Sequence, residues 1–140
     1  MGTIRTTDPT NNVVLTQWGA FIDGPTGNGT IDVYEGPPAA SRGAAPSGTL
    51  LGTLTHGRPA YQTPSGGNLD AYPITSETNA VAGTIGCLLF RNSSGTIVGD
   101  ATASYVGGGG SFEFGTTNPS SIVLANGDTI AMSSLRINLG

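Results

Sequence analysis

Residues 83–106, GTIGCLLFRNSSGTIVGDATASYV, decide the fold class of this chain. Their first part, residues 83–90, is a β-prone apolar run, and residues 91–95, RNSSG, have the composition of a tight turn. Residues 96–106 then alternate, with small and apolar side chains on one face and Thr, Ser and Asp side chains on the other. The stretch therefore predicts a β-hairpin whose second strand has one buried and one solvent-facing side.

The strand before this turn has apolar residues on both faces over residues 80–90. Val81, Ile85, Cys87 and Leu89 would point to one side, and Ala80, Leu88 and Phe90 to the other. Such a strand must be covered on both sides, either by a loop of the same chain or by another subunit. Leu88 and Phe90 are therefore candidate interface residues. Cys87, the single cysteine, is expected to be a buried and unreactive thiol.

The rest of the chain carries frequent β signals and few helical ones. Strands are predicted over residues 12–22, 30–35, 49–55, 69–74 and 121–124, and in a closing segment that ends at Leu139. Residues 1–11 are polar and rich in threonine, which predicts an extended N-terminal arm. The chain is therefore expected to be all-β, with residues 12–140 forming a single sandwich domain of about eight antiparallel strands.

The closing segment and the first predicted strand supply the other candidate interface residues. Ile130 and Met132 lie on one face of the closing segment, whereas Leu135 and the following apolar residues lie on the other. Either a bulge near residues 133–134 reverses the phase of the strand, or one set of side chains faces a partner. The second interpretation is favoured, and it makes Ile130 and Met132 interface candidates. Trp18 is predicted to pack in the core or in an interface.

Length, composition and charge exclude several classes of partner. The 140 residues suit one domain, and the formal net charge is −4, from five arginines, no lysines and nine acidic residues. Because the arginines are scattered singly, the chain lacks the clustered positive charge that nucleic-acid binding requires. No apolar run approaches the ~20 residues of a membrane helix. We therefore expect neither nucleic acid nor membrane as a partner.

The residues that could carry chemistry do not form a recognisable motif. His56 is the only histidine and ends a predicted strand, where an exposed polar residue is the usual case, and no nucleophile elbow accompanies it. Asp23, Asn28 and Asp32 could offer oxygen ligands to Ca²⁺, but the EF-hand spacing is missing and turn formation explains the first two better. We therefore expect no catalytic residue, no metal and no cofactor, and a function of binding or assembly.

Three segments resemble sequence motifs found in small structural proteins of tailed bacteriophages. They are PSGTLLGTLT at 46–55 with RPAY at 58–61, the run from residue 83 through FRNSSGTIVG at 90–99, and NGDTI at 126–130 leading to LRI at 135–137. With the size of the chain, its β content and its lack of lysine, they are most similar to the jelly-roll cement, or decoration, proteins of short-tailed phages.

This resemblance implies an all-β jelly roll attached to the outside of an icosahedral head. Members of that family typically pair as homodimers and bridge neighbouring subunits of the major capsid protein, so the implied location is the exterior of the virion capsid. The family brings no catalytic residues, and none are transferred to this chain. The alternative hypothesis is a receptor- or glycan-binding domain of a phage tail or fibre, in which exposed tryptophan or tyrosine rings would serve as stacking platforms.

Overall fold

A computed structural model of the chain describes residue 4 and residues 6–139. Within these residues the chain is mostly β, with one α-helix, eight strands and a short 3₁₀ helix. The α-helix is α1 (Asp8–Asp23), and the strands are β1 (Thr30–Glu35), β2 (Leu50–Thr55), β3 (Asn68–Asp70), β4 (Gly83–Arg91), β5 (Ile97–Tyr105), β6 (Phe112–Phe114), β7 (Val123–Leu124) and β8 (Arg136–Asn138). The 3₁₀ helix, Pro119–Ile122, leads into β7.

The strand predicted over residues 12–22 is wrong, because this segment is the α-helix α1. Pro9 lies in its first turn, where a missing N–H does no harm, and Gly24 ends the helix with a positive φ of 55°. Asn11, Leu15 and Ile22 recur at helical spacing and are buried. The extended arm predicted over residues 1–11 is also wrong from Asp8 onward, and Met1–Thr3 and Arg5 lie outside the described residues.

The predicted hairpin over residues 83–106 is confirmed, and it forms the centre of the main sheet. That sheet has the order β2-β1-β4-β5-β6, with β7 paired to the beginning of β4. In the hairpin, Leu88 pairs with Ala101 and Phe90 with Gly99. The predicted strands at 30–35 and 49–55 are confirmed as β1 and β2, and they pair antiparallel. A second, two-stranded sheet joins β3 to β8.

The expectation that all strands pair antiparallel is wrong for one pair. β5 and β6 run parallel, with Ala103 opposite Phe112 and Tyr105 opposite Phe114. The connection between them contains the glycine run 107–110, and Gly107 and Gly109 have φ angles of 86° and 85° that favour glycine. These glycines allow the short connection 106–111 to reverse direction, so that β6 can pair parallel to β5 without a long crossover. The sheets are therefore mixed.

Strand β4 is buried on both faces, as its sequence predicts. Leu88 and Phe90 belong to the main core, which also receives Leu15 and Ile22 from α1. On the opposite face, Cys87 and Leu89 form a smaller cluster with Tyr34, and Ile97 packs against it. Both sets are covered within a single chain, with loop 36–48 beside the second face, where Arg42 and Gly43 share a cavity with residues 97–100. No second subunit is needed to bury this strand.

A largely buried ion pair joins the end of β4 to the neighbouring strand β1. Asp32 is almost fully buried, and its carboxylate accepts hydrogen bonds from Arg91 Nε at 2.7 Å and from Thr53 Oγ1 at 2.9 Å. The Asp32 carboxylate raises the pKa of the Arg91 guanidinium, which therefore stays charged. Since β1 lies between β2 and β4, this one carboxylate connects three adjacent strands.

Replacing Arg91 with Met is expected to lower the free energy of unfolding by about 2 kcal/mol, because Asp32 would keep a buried charge without its partner. The figure is below that of a fully buried pair because a quarter of the Arg91 side chain is exposed. Urea unfolding measures the change. Arg136→Met is the matched control, since Arg136 pairs with Asp70 at the surface, and no measurable loss is expected from it. Equal losses in both variants would contradict this role of Asp32.

Candidate contact surface

Most of the predicted interface residues belong to the core of the single chain. Leu88, Phe90 and Ile130 are at most 2% exposed, so a partner could not reach them without opening the fold. Met132 is half-buried and packs against the main core. Trp18 is also half-buried, and its ring meets that of Phe90 edge-on with 5.7 Å between the centroids. The structure corrects the assignment of Leu88, Phe90 and Ile130 to a contact surface, whereas Met132 and Trp18 keep part of their surface exposed.

The change of face along the closing segment is explained within the chain itself, without a partner. Ile130 pairs with Glu77 in an isolated bridge, and the regular strand β8 begins only at Arg136. Ile130 and Leu135 are both buried, at 2% and 3% exposure. The irregular residues between them turn both side chains toward the core, so the favoured interpretation, a partner on one face, is wrong. An interruption of the strand reverses its phase instead.

Among the described residues, three of the five large apolar side chains that are more than half exposed lie on α1. Val13, Val14 and Phe21 are 64%, 52% and 63% exposed, and we call these three residues the outer stripe. At 3.6 residues per turn, Val14 and Phe21 point within about 20° of each other, on the side of the helix away from Leu15. No charged residue lies in the helix between Asp8 and Asp23. Apolar residues therefore occur on both sides of α1, and the chain covers only those on one side.

Contacts along its whole length fix α1 to the rest of the fold. Near its start, Asn11 Nδ2 donates to the Leu139 carbonyl at 2.6 Å, and Asn12 Oδ1 accepts from the Gly67 amide at 3.0 Å. Near its end, Asp23 Oδ1 accepts from the Ala60 amide at 2.8 Å. Because both ends are held by hydrogen bonds, the outer stripe is presented on a rigid element.

Trp18 adds a packing contact on the inner side of the helix. Its ring lies over Gly99 of β5, where an added Cβ would come within 2.8 Å of the ring. The missing side chain at this position lets the indole reach the sheet beside Phe90. Trp18 thus ties α1 to the central hairpin, and its role is in packing.

His56 is buried, contrary to the expectation that it would be exposed. It is 1% exposed, its ring centroid lies 5.2 Å from that of Tyr61, and neither of its ring nitrogens has a hydrogen-bond partner in the described residues. Burial lowers the pKa of His56 to about 4, partly opposed by the charge of Asp23. Burial likewise raises the pKa of Tyr61. No described side chain is placed to exchange a proton with His56, so this site lacks the geometry of a triad.

The other residues considered for chemistry have structural partners. Cys87 is fully buried, as expected, and burial raises the pKa of its thiol. Asp23 and Asp32 accept the hydrogen bonds described above, and Asn28 Nδ2 donates to the His56 carbonyl at 2.7 Å. Among the described residues, no group of three or more His, Cys, Asp or Glu side chains could hold a metal ion. Each of the three residues considered as calcium ligands forms its own hydrogen bond within the fold.

The outer stripe was missed because the sequence interpretation placed Val14 on one strand face with Trp18 and Ile22. The signals for a helix were present in Pro9 and Gly24, and in the spacing of Leu15, Trp18 and Ile22.

In the part of the chain that the structure describes, every helix falls short of the length and apolarity required to span a membrane. Comparison of the chain with protein-family models, with curated proteins and with solved structures finds no significant match.

Proposed function

We propose that this chain is a structural virion protein, a capsid cement protein that binds the outside of an icosahedral phage head. In this proposal it acts as a homodimer, bridges neighbouring subunits of the major capsid protein and stabilises the shell. The three phage-like segments support it, and the observation that carries it is the outer stripe of α1. The jelly-roll topology remains a prediction from the resemblance.

The outer stripe has the properties that attachment to a protein lattice requires. Exposed apolar side chains grouped on one rigid element are common in protein–protein contacts, which supports the proposal. The lack of charge along the stripe makes its contacts insensitive to salt. Each contact is small, but a homodimer that engages two lattice positions gains affinity through multivalency.

The double variant Val14→Asp/Phe21→Asp is expected to remain folded and to lose attachment to heads. Burial of one Val or Phe side chain contributes about 1.5–3 kcal/mol, so the loss of both contacts corresponds to a weakening of about 100-fold or more. Cosedimentation of labelled protein with heads that lack it measures the bound fraction, and circular dichroism verifies the fold.

Val81→Asp is the matched control for this experiment. Val81 is also an exposed apolar residue, but it precedes β4 and lies outside α1. Its variant should bind heads like the wild-type protein. Wild-type binding by a folded Val14→Asp/Phe21→Asp variant would show that the outer stripe is not the attachment surface.

The second candidate function is a receptor- or glycan-binding domain of a phage tail or fibre. It is supported by a cleft beside the partly exposed ring of Tyr72, which could act as a stacking platform. Antibody labelling of intact particles separates the two functions. Uniform labelling of the head favours the cement role, whereas label confined to the tail or fibres favours the second function.

A further inference from the structure

A cleft of about 620 Å³ opens between two segments of the chain that lie outside the main sheet. One wall is formed by residues 70–76 and the other by residues 131–135, with Gln62 at the edge. Both apolar and polar side chains line it, among them Tyr72, Ile74, Met132, Asp70 and Gln62. The cleft shares no lining residue with the outer stripe of α1.

Tyr72 offers an aromatic surface on a fixed backbone. It is 43% exposed, although its own backbone and that of Ala71 are hydrogen-bonded to the fold. Its amide donates to the Ala60 carbonyl at 2.9 Å, and the amide of Ala71 donates to the Leu135 carbonyl at 2.9 Å. Because the second of these bonds also connects the two walls, the backbone of Tyr72 is held beside the cleft before any ligand arrives.

Asp70 places an oriented carboxylate at the same cleft. Its two oxygens accept hydrogen bonds from Arg136 Nε at 2.6 Å and Arg136 Nη2 at 2.9 Å, in a bidentate pair. The Arg136 hydrogen bonds hold the pKa of Asp70 below its usual range. Each oxygen keeps a second lone pair, so the carboxylate can still accept from two adjacent hydroxyl groups.

The charges and surfaces of the cleft select the class of ligand. The Asp70 carboxylate is neutralised by Arg136, and none of the other lining residues is Asp, Glu, Lys, Arg or His, so the cleft offers no net charge to attract an ion. Ile74 and Met132 line the cleft together with Tyr72 and supply apolar surface for a flat apolar ligand face, and the amide of Gln62 adds donors and an acceptor. A pyranose ring has this combination of an apolar face and an edge of hydroxyl groups.

We propose that the cleft between residues 70–76 and 131–135 binds a neutral pyranose sugar, which stacks on Tyr72 and donates hydroxyl hydrogen bonds to Asp70. This proposal deepens the second candidate function and rests on it rather than on the cement role. The ligand is bound unchanged, since no described group is placed to cleave it.

Titration of the purified full-length protein with single sugars tests the site. Glucose, galactose, mannose, rhamnose and N-acetylglucosamine serve as neutral probes and sialic acid as the anionic one, with binding followed by amide chemical shifts. We expect at least one neutral sugar to bind with a millimolar dissociation constant and to shift amides of both cleft walls. Tyr72→Ala should weaken that binding about tenfold or more, whereas Tyr72→Phe keeps the ring and most of the affinity.

Two further variants make the result specific to this cleft. Asp70→Ala should also weaken binding about tenfold, because it removes both hydroxyl acceptors, and its surface ion pair is not needed for folding. Val81→Ala, an exposed residue outside the cleft, should leave binding unchanged. Thermal melting verifies that each variant is folded.

The outcomes separate this site from the function on which it rests. Binding of a neutral sugar that survives both Tyr72→Ala and Asp70→Ala would overturn the site and leave a glycan-binding function standing. Binding of sialic acid alone would overturn the assignment to neutral sugars. If no probe binds, the site is refuted, while antibody labelling of particles still decides the second candidate function and attachment to heads decides the cement role.

Discussion

The Leu88→Asp variant is expected not to fold. Leu88 has no exposed surface and lies on β4, between β1 and β5 in the middle of the main sheet. An aspartate there would lose the burial of a leucine side chain, about 1.5–3 kcal/mol, and would also place a carboxylate where only apolar groups surround it. Together these terms approach the whole stability of a typical domain, about 5–15 kcal/mol.

Far-UV circular dichroism and the amide spectrum of Leu88→Asp measure this effect. The control is Val14→Asp, which places the same charge on the exposed outer stripe and should change the free energy of unfolding by less than about 0.5 kcal/mol. A Leu88→Asp protein that is folded but altered in oligomeric state would contradict the assignment of Leu88 to the core, and it would restore β4 as an interface.

Acidification below pH 6.5 is expected to destabilise the protein through His56. The pKa of His56 is about 4 in the folded chain and 6.5 in the unfolded chain, so between these values only the unfolded state binds the proton. Above pH 6.5 both states are neutral and the group has no effect. As the pH falls from 6.5 to 4, the free energy of unfolding should decrease by about 3 kcal/mol from this one group.

The His56→Phe variant isolates this contribution. A phenyl ring retains the contact with Tyr61 but cannot take up a proton. Urea unfolding at pH 7, 5.5 and 4 should show that the decrease for the variant is smaller than that for the wild-type protein by about 3 kcal/mol. Asp70 and Glu77, whose pKa values are lowered by hydrogen bonds, add a loss of stability at lower pH in both proteins. Parallel pH curves for the two proteins would show that His56 is accessible to solvent in the folded state.

The sequence predicted the central part of the fold because the β signals there are local. The bounds of β1 were predicted at Thr30 and Glu35, where the structure places them. The turn after β4 was also predicted, since Asn92 and Gly95 are turn residues, and the Asn92 carbonyl accepts from the Gly95 amide. The burial of β4 on both faces followed from its composition alone.

The helix could not be recognised by the contrast between its faces, since that contrast is weak. Leu15 and Ile22 face the core while Val14 and Phe21 face solvent, so apolar residues occur all around α1. A segment with this pattern can be interpreted as a strand with two apolar faces. The surface that made the helix hard to predict is the same surface that we propose for attachment.

The candidate sites depend on contacts between distant parts of the chain. Asp70 and Arg136 are 66 residues apart, and their pairing comes from the β3–β8 sheet. The burial of His56 likewise depends on packing against Tyr61 and on the surrounding core. A single sequence gives no signal for either arrangement, so neither the cleft nor the buried histidine was predicted.

The thermal rupture of phage heads tests the central claim, a role in stabilising the capsid, most directly. Heads assembled without this protein are heated with a DNA-binding dye, and the temperature of genome release is compared before and after addition of the purified chain. We predict that the wild-type protein raises the rupture temperature and that the folded Val14→Asp/Phe21→Asp variant does not. Identical rupture temperatures with and without the wild-type protein would contradict the cement function.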